Sequence, residues 1–568
     1  MKKHYSFLLI FSLIFSFSYS QISTFPYSVS FENASDLGTT ASDADSKWTT
    51  AISGSVGVNS LDEELTFTRH TGATPSNSGA GTGPSASAGG SFGSYYIYME
   101  TSGGTSGYTA ELVARFDFRC YNSATLSFIY HNYGSGSQGP ATAGIFIYNE
   151  TDDVWSSQLW GSSSSNDAWY WQDGNTSNGI DISAYDGKVV QIWFTATSGG
   201  YRSDFALDYI TVSATRNSSM TWDGSSNSDW KTAANWSNDC VPTTGDDVII
   251  ADVTNQPVIS SDDGSSGAVT LDDITINSGA TLTIEKEASL TLTGNYTNNS
   301  GTVTLNSDAS NFSSIIVQGS SSGDITYNRY VNSLSGGSGW DLVGSPVDGL
   351  SISSFANTND SPLATGGGSG GNQYAIGYYD NSTDDWTNYT TATIGGAGNF
   401  DIGKGFQMAT DNGATLAFTG TIATSDQTQA VQDYSGASGR IWNLVANPYP
   451  SYINANSNAD GTNNVISVNG TSNLHDSYLA VYGYDADSGD GSNFTIINNT
   501  SDATYIAPGQ AFMIAADNAS SGTSISMTEA MQTVSGSDDF ISGDVMQNTE
   551  VELRILNNEI VIGSTLLF

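Results

Sequence analysis

The sequence has few charged residues, and very few of these are basic. Only 15 of its 568 residues are lysine or arginine, against 57 aspartate and glutamate, so the formal net charge is −42. Binding to nucleic acid or to an anionic membrane requires basic side chains that replace counterions. The composition therefore argues against both kinds of partner. It is compatible with a calcium-rich extracellular setting.

Cysteine and histidine are scarce as well. The two cysteines, Cys120 and Cys240, are too few for a disulfide framework. We expect two unpaired thiols, and the alternative is a bridge between domains. The chain has 4 histidines and neither an H-E-x-x-H nor a G-x-S-x-G motif. Because no catalytic constellation is recognisable, we interpret His131 as a hydrogen-bonded structural residue.

Long apolar runs are missing except at the amino terminus. Lys2 and Lys3 precede the apolar run Phe7–Phe17, and small residues occupy the −3 and −1 positions before Gln21. This order is typical of a secretory signal peptide over residues 1–20. The run is shorter than the roughly 20 residues that span a bilayer. We predict a secreted, extracellular protein that is not integral to a membrane.

Aromatic residues and glycine are abundant, at 11% and 62 residues. Short alternating stretches such as Leu126–Gly134 are separated by turns rich in Gly, Ser, Asn and Asp, and a period of two is typical of a strand with one buried face. The sequence therefore predicts an all-β protein, and its length predicts about three or four domains. For the first domain we expect a core that includes Phe128, Tyr130, Trp155, Trp160, Trp193 and Phe194.

The first domain, residues 24–214, carries a series of motifs in a recognisable order. They are Phe31-Glu32, a T-P-S…T-G-P loop from Thr74 to Pro84, Y-x-Y-x-E-x-S within Tyr96–Ser102, L-S-F-I-Y-H-N-Y-G from Leu126 to Gly134, and A-L-D-Y-I from Ala206 to Ile210. Together they resemble the MAM family of extracellular adhesion modules, although the paired cysteines of its animal members are absent. The resemblance implies a jelly-roll β-sandwich with a recognition role.

The same resemblance singles out two carboxylates. In jelly-roll modules of this kind a cation often joins the first strand to the last, and Glu32 and Asp208 lie in those two segments. Oxygen ligands suit calcium, which extracellular modules bind at about 10⁻⁴–10⁻³ M. We therefore predict a calcium site at Glu32 and Asp208. The alternative is that both are turn or edge carboxylates, and Glu100 is interpreted as structural.

Residues 220–331 form a different kind of segment. It opens with three tryptophans, Trp222, Trp230 and Trp236, in a motif that resembles the start of repeat-rich bacterial surface proteins and suggests a cap. Short alternating strands follow at Ile274–Ile276, Leu282–Ile284, Leu290–Leu292 and Val303–Leu305. We predict a β-helix, with a small sandwich as the alternative. The pairs Asp246-Asp247 and Asp272-Asp273 could act in glycoside hydrolysis, but solvated turn residues are the simpler interpretation.

The remainder of the chain is duplicated. The W-D-L-V-G-S-P stretch at Trp340 returns as W-N-L-V-A-N-P at Trp442, and later motifs return at similar offsets. This predicts two tandem β repeats, residues 332–430 and 431–540, with wording that resembles bacterial proteins exported by the type IX route. Residues 541–568 read as the start of a further β unit, and we expect the chain to continue beyond them.

These observations favour a non-enzymatic extracellular adhesion or binding protein, whose MAM-like module recognises a glycan or protein ligand on a β-rich stalk attached to the cell surface. The alternative is the accessory, non-catalytic portion of a secreted protease or polysaccharide-degrading enzyme. The pairs Asp152-Asp153 and Asp384-Asp385 leave glycosidase chemistry formally open. They adjoin Trp155 and Trp386, which could instead form a sugar-stacking platform.

Overall fold

The computed structural model describes residues 21–38, 47–50, 65–77, 81–102, 106–163, 166–172, 179–261, 267–334, 339–368, 371–434, 440–484, 494–517, 523–534, 536, 551–557 and 560–567. The predicted signal peptide lies outside these residues. The chain divides into two compact units. The first comprises residues 1–217 and 238–240, and the second comprises residues 218–237 and 241–568. No helix in the described ranges has the length and apolarity to cross a membrane.

The first unit is a sandwich of two β-sheets. Its strands are β1 (Tyr27–Val29), β2 (Leu37–Gly38), β3 (Trp48–Thr49), β4 (Phe67–Thr71), β5 (Tyr95–Met99), β6 (Thr109–Asp117), β7 (Tyr121–Gly134), β8 (Thr142–Asn149), β9 (Val154–Trp155), β10 (Trp160–Ser162), β11 (Trp169–Gln172), β12 (Ile180–Asp181), β13 (Val189–Thr197) and β14 (Ser203–Arg216). One sheet has the order β11-β7-β14-β5-β4, with β1 on β14 and β12 on β7. The other has the order β10-β8-β13-β6-β3-β2, with β9 on β8. The predicted strand Leu126–Gly134 lies in β7, between β11 and β14, and the all-β sandwich is confirmed.

Alternation along the strands builds the core of this unit. Phe128 and Tyr130 point inward from β7, and the Phe128 ring lies 5.0 Å from that of Phe194. Two residues predicted for the core are elsewhere. Trp155 and Trp193 pack on each other at 5.5 Å in a separate cluster, because the neighbours of Trp193 along β13 already point into the core and alternation turns its ring to the other face.

The expectation of two unpaired thiols was wrong. Cys120 and Cys240 form a disulfide across a sequence separation of 120 residues. The segment Asn238–Cys240 belongs to the first unit by its contacts, so the bridge lies within that unit. A separation of this length leaves no local pattern that would identify the pair.

The second unit begins with a parallel β-helix. Its strands are β15 (Ser219–Trp222), β16 (Asp247–Ile250), β17 (Val258–Ile259), β18 (Ala268–Leu271), β19 (Ile274–Ile276), β20 (Thr281–Ile284), β21 (Ser289–Leu292), β22 (Tyr296–Asn298), β23 (Thr302–Asn306), β24 (Ser314–Val317), β25 (Ser321–Ser322) and β26 (Asp324–Val331). Three parallel sheets form its faces, with orders β15-β16-β19-β22-β25, β17-β20-β23-β26 and β18-β21-β24. Each predicted strand of the segment occupies one face of a coil, and the structure adopts the predicted β-helix, not the alternative sandwich.

A tryptophan cluster covers the first coil. Trp222, Trp230 and Trp236 are all buried, and their ring centroids lie 4.7 to 6.3 Å apart. The indole N–H of Trp236 donates to the Trp230 carbonyl at 2.7 Å. Since a solenoid would otherwise expose its first apolar coil, these rings close the end of the β-helix.

The tandem repeats follow. The first copy contains β27 (Asp341–Val343), α1 (Ile352–Thr358), β28 (Thr365–Gly368), β29 (Gly371–Asp380), β30 (Asp385–Thr390), β31 (Phe406–Met408) and β32 (Ala414–Thr421). The second contains β33 (Gln427–Val431), β34 (Trp442–Ala446), β35 (Tyr452–Asn454), α2 (Val465–Asn473), β36 (Val481–Tyr484), β37 (Phe494–Ile497), β38 (Tyr505–Ile506), β39 (Ala511–Ala515), β40 (Thr523–Met527) and β41 (Gln532–Thr533). The sheet β27-β31-β29 of the first copy returns as β34-β39-β36 in the second. A last antiparallel hairpin pairs β42 (Val551–Asn557) with β43 (Ile560–Leu567).

The two copies pack on each other with local two-fold symmetry. The Gly344 N–H of the first copy donates to the Gly509 carbonyl of the second at 2.8 Å, and the Ala446 N–H of the second donates to the Gly403 carbonyl of the first at 2.8 Å. These pairs occupy matching positions in the two copies. A contact that recurs with the partners exchanged defines a two-fold interface, so the duplication forms one pseudo-symmetric body.

Candidate functional site

Strand β14 changes its partner at Asp208. Residues Phe205–Leu207 pair with β5, and Ile210–Val212 pair with β1. The register with β7 shifts between Asp208 and Thr211, and Tyr209 takes a φ of +46°. This irregularity places the Asp208 side chain where the end of β1 approaches the start of β5, beside the turn that carries Glu32.

The Asp208 carboxyl is buried, with 1% of the residue exposed. Its Oδ1 accepts from the Tyr209 N–H at 2.7 Å, and its Oδ2 has no hydrogen-bond partner among the described residues. Burial, opposed by the Tyr209 hydrogen bond and reinforced by the negative charge of Glu32, raises the pKa of Asp208 from 3.8 to about 8. A buried carboxylate oxygen without a donor is costly, and either a proton or a cation would remove that cost.

Glu32 is held in place by backbone groups of the facing turn. Its Oε1 accepts from the N–H groups of Ser94 and Tyr95 at 2.8 and 2.7 Å. A Cβ at Gly93 would lie 2.2 Å from this oxygen, and Gly93 has a φ of +95°. Only glycine fits there, since a side chain would both clash with the carboxylate and strain the backbone.

Arg69 secures the same corner from β4. Its guanidinium donates to the carbonyls of Phe31 and Glu32, each at 2.5 Å, and lies 3.4 Å from the ring centroid of Tyr95. All of these contacts use the backbone or an aromatic face. Arg69 therefore pairs with neither carboxylate in these contacts. The charge of Glu32 acts on the Asp208 carboxyl, so the structure brings together the two residues that the sequence singled out.

Three aromatic rings lie next to this pair of carboxylates, and we call them the aromatic platform. The Phe92 ring lies 5.7 Å from Trp171 and 5.2 Å from Tyr209, and Trp171 lies 5.8 Å from Tyr209. Trp171 is 41% exposed. Phe92 directly precedes Gly93, and Tyr209 directly follows Asp208. Sequence reasoning missed this platform, because its rings come from three segments whose proximity depends on the sheet order.

A second buried carboxylate, Asp204, organises the loop that carries the T-P-S and T-G-P motifs. Its Oδ1 accepts from the N–H and hydroxyl of Thr101, and its Oδ2 accepts from the Ser76 hydroxyl at 2.7 Å. The Asp204 N–H donates to the Thr82 hydroxyl. Burial raises the pKa of Asp204. These motif residues therefore anchor a loop, and Asp204 is a structural residue that the sequence analysis did not identify.

Glu100 and His131 also lie among fixed partners. The Glu100 carboxylate accepts from the Ser102 N–H at 2.8 Å and from the Tyr98 hydroxyl at 3.3 Å. His131 is buried, and its Nε2 lies 3.1 Å from the Asp167 carboxylate. Burial lowers the pKa of His131, and the Asp167 contact opposes that shift. The Ser76 hydroxyl, which donates to Asp204, also lies 3.3 Å from the Glu100 carboxylate.

The acid pairs at Asp152-Asp153 and Asp384-Asp385 are hairpin turns of one design. Asp153 and Asp384 take positive φ values of 56° and 60°. Each accepts a hydrogen bond from a tyrosine five residues earlier, Tyr148 and Tyr379. A short polar side chain tolerates this backbone conformation and stabilises the turn. The turn therefore explains the presence of Asp153 and Asp384.

The acidic pairs of the β-helix have a similar setting. Asp246 accepts from the Thr243 N–H, and Asp273 accepts from the N–H of Asn295 in the next coil. The carboxylates of Asp247, Asp272 and Asp273 come within 4.8 Å of one another. Asp272 and Asp273 lie in the turn between β18 and β19, whereas Asp247 begins β16. Asp246 is buried, with 2% exposed, so the interpretation as solvated turn residues is wrong for it.

Comparison with known proteins covers both units. The family described as MAM domain, meprin/A5/mu, matches residues 61–218, which confirms the MAM resemblance of the first unit, with Phe31-Glu32 upstream of the match. The family described as a domain of unknown function, DUF8693, matches residues 221–557.

Two solved structures are similar to part of the chain. The C-terminal family 22 carbohydrate-binding module of Clostridium thermocellum Xyn10B is 10% identical over 35% of this chain and 96% of its own, with a TM-score of 0.20. The K3 adhesin domain of Lys-gingipain from Porphyromonas gingivalis is 11% identical over 26% of this chain and 91% of its own, with a TM-score of 0.17. Likenesses this weak carry no argument about function.

Proposed function

The chain belongs to the family described as a domain of unknown function, DUF8693, whose model matches more than half of its length, residues 221–557. From the MAM-like unit that precedes this domain, we propose that the protein is a non-catalytic extracellular binding protein. The first unit is the recognition module, and the second is the scaffold that presents it. The predicted signal peptide and the resemblance to type IX cargo support secretion and attachment to the cell surface.

The observation that carries this proposal is the aromatic platform. Phe92, Trp171 and Tyr209 present ring surface beside strands β11 and β14, and the sheet that contains these strands already has a complete core on its inner face. Exposed aromatic rings favour a ligand with a flat apolar face, because they offer a large contact area with few rotatable bonds. The ligand that we propose is an extracellular glycan or a protein surface.

Calcium is the proposed cofactor of this module. The unpartnered Oδ2 of Asp208 and the Glu32 carboxylate are hard oxygen donors at the junction of β1, β5 and β14. A cation there would replace the proton on Asp208 and hold the residues that flank Phe92 and Tyr209. Its role would be to position the platform.

The test is a binding screen of the protein from Gln21 onward against immobilised glycans and extracellular-matrix proteins, in millimolar calcium and in chelator. We expect a ligand that binds in calcium, and we expect Trp171→Ala to weaken binding at least tenfold. Tyr201→Ala is the matched control, since Tyr201 is an exposed ring of the same unit, at 46%, with no ring contact to the platform residues. Binding that survives Trp171→Ala, or a screen without any ligand, would refute the proposal.

A further inference from the structure

The pseudo-symmetric body of the tandem repeats contains a groove of about 500 Å³. The first copy contributes Tyr379 and Asp384 from the hairpin of β29 and β30, and the second contributes aromatic rings from Trp442, Tyr482 and Phe494. The Trp442 and Tyr482 rings stand perpendicular to each other at 4.7 Å. The volume lies within the range of roughly 300–1,000 Å³ that is usual for small-ligand sites. We call it the tandem-repeat groove.

The strand registers identify the equivalent positions in the two copies. In the second copy, Tyr482 pairs with Ile496 on one side and with Met513 on the other. In the first copy, Gly377 holds the same place between its two neighbouring strands. It pairs with Asn388 on one side and Gln407 on the other. Three apolar residues that line the groove therefore correspond to a glycine and two amides.

The amide pair shows what the fold needs at these positions. The Gln407 side chain donates to the Asn388 Oδ1 at 2.7 Å, and a Cβ at Gly377 would lie 2.2 Å from that same oxygen. In the first copy the space is thus closed by a polar hydrogen bond. The scaffold forms with either set of residues, so the packing of the repeats does not require an open apolar wall in the second copy. Two of the groove residues are also strongly exposed, Phe494 at 46% and Ile496 at 56%.

The charge of the groove restricts its ligand. Asp384 is the charged residue of the lining, and the protein has a net charge of −42, so an anionic ligand would be repelled. The Tyr379 hydroxyl already donates to the Asp384 Oδ1 at 2.6 Å. With this bond the carboxylate does not need a cationic partner, and its other oxygen can accept from a neutral hydroxyl.

We propose that the tandem-repeat groove binds a neutral oligosaccharide. The C–H faces of its pyranose rings pack on Trp442, Tyr482 and Phe494, because the electron-rich faces of aromatic rings attract polarised C–H groups. One hydroxyl donates to Asp384. Covering this carboxylate with a wholly apolar ligand would cost free energy, and a sugar provides both the apolar face and the donor. The site is separate from the aromatic platform of the first unit and does not rest on the function proposed for it.

The test titrates the protein from Gln21 onward with neutral oligosaccharides (cello-, manno-, xylo- and galacto-oligosaccharides) and with a basic peptide rich in lysine and tyrosine, followed by calorimetry and tryptophan fluorescence. We expect at least one of the oligosaccharides to bind with little dependence on salt. Ile496→Asn, which copies the residue of the first repeat, and Phe494→Ala should each weaken that binding at least tenfold. Both residues are exposed, so folding should be unaffected, and thermal unfolding checks this.

Tyr434→Ala serves as the control, because Tyr434 is an exposed ring of the same unit, at 40%, outside the groove lining. Loss of oligosaccharide binding in Trp171→Ala with unchanged binding in Ile496→Asn would assign the sugar to the platform and overturn this proposal while leaving the proposed function intact. Salt-dependent binding of the peptide alone, or no binding of any oligosaccharide, would also overturn it.

Discussion

Replacement of Asp208 by asparagine should remove a pH dependence from the stability of the first unit. In the folded protein the pKa of Asp208 is raised to about 8, against 3.8 for a free carboxyl. Between these values the folded state keeps a proton that the unfolded state has lost. The contribution of Asp208 to stability is therefore greatest at and below about pH 4, falls as the pH rises toward 8, and is lost above it. The asparagine side chain of the variant does not titrate, so the variant should not show this slope.

The size of the effect follows from the shift. Each pH unit between the two pKa values changes the free energy of unfolding by about 1.4 kcal/mol. From pH 5 to pH 7 the wild-type protein should therefore lose about 2.7 kcal/mol relative to Asp208→Asn. Calcium should oppose this loss, because it takes the place of the proton. At tenfold excess over the dissociation constant it should restore about 1.4 kcal/mol to the wild type and nothing to the variant.

The assay is urea unfolding of the full protein at pH 5, 6, 7 and 8, in chelator and in millimolar calcium. Asp181→Asn is the control whose pH dependence has the opposite sign. Hydrogen bonds from Ser183 lower the pKa of the exposed Asp181, so the contribution of Asp181 to stability is lost as the pH falls. Equal pH slopes for the wild type and Asp208→Asn would refute the reasoning about the buried carboxyl. A pH slope of the expected size that calcium does not change would refute the calcium site, but not the reasoning about the buried carboxyl.

Three further substitutions test the architecture. Cys120→Ser should lower the free energy of unfolding of the first unit by about 2–5 kcal/mol, measured without reductant, and reductant should remove the difference; an unchanged stability would contradict the pairing with Cys240. Gly93→Ala should destabilise the first unit by about 1–3 kcal/mol through strain and its clash with Glu32, seen as a lower melting temperature, and should abolish any calcium response; a wild-type melting temperature would exclude the clash. Trp236→Ala should cost about 3–5 kcal/mol in the second unit, and a loss confined to the first unit's transition would contradict its role as the cap.

Local patterns were sufficient wherever the structure repeats over short distances. The alternation in β7 predicted a central strand, and the runs Ile274–Ile276 and Val303–Leu305 are strands of the β-helix because a buried position recurs every second residue. The tandem copies were visible because the W-D-L-V-G-S-P stretch at Trp340 returns as W-N-L-V-A-N-P at Trp442. Trp193 was misplaced because the prediction put it in the core together with its neighbour Phe194, whereas neighbouring residues of a strand point to opposite faces.

The predicted site was visible only in part. The motif order indicated Glu32 and Asp208. The burial of Asp208, however, depends on a bulge in β14 that the A-L-D-Y-I motif does not predict. Phe92 and Trp171 carried no signal at all, since an aromatic residue is as suitable for a core as for a surface. The calcium and the secretion of the protein stay predictions.

The sequence alone determined the class of the protein. It is all-β and acidic, with a MAM-like amino-terminal part, a β-helical middle segment and a duplicated carboxy-terminal part. These properties depend on composition, on periods of a few residues and on motifs that recur or follow one another in a fixed order. Tertiary structure decided the disulfide between Cys120 and Cys240, the meeting of Glu32 with Asp208, and the groove in which Tyr379 of one copy faces Tyr482 of the other. Each of these joins residues far apart in the chain, and strand order and register determine which distant side chains become neighbours.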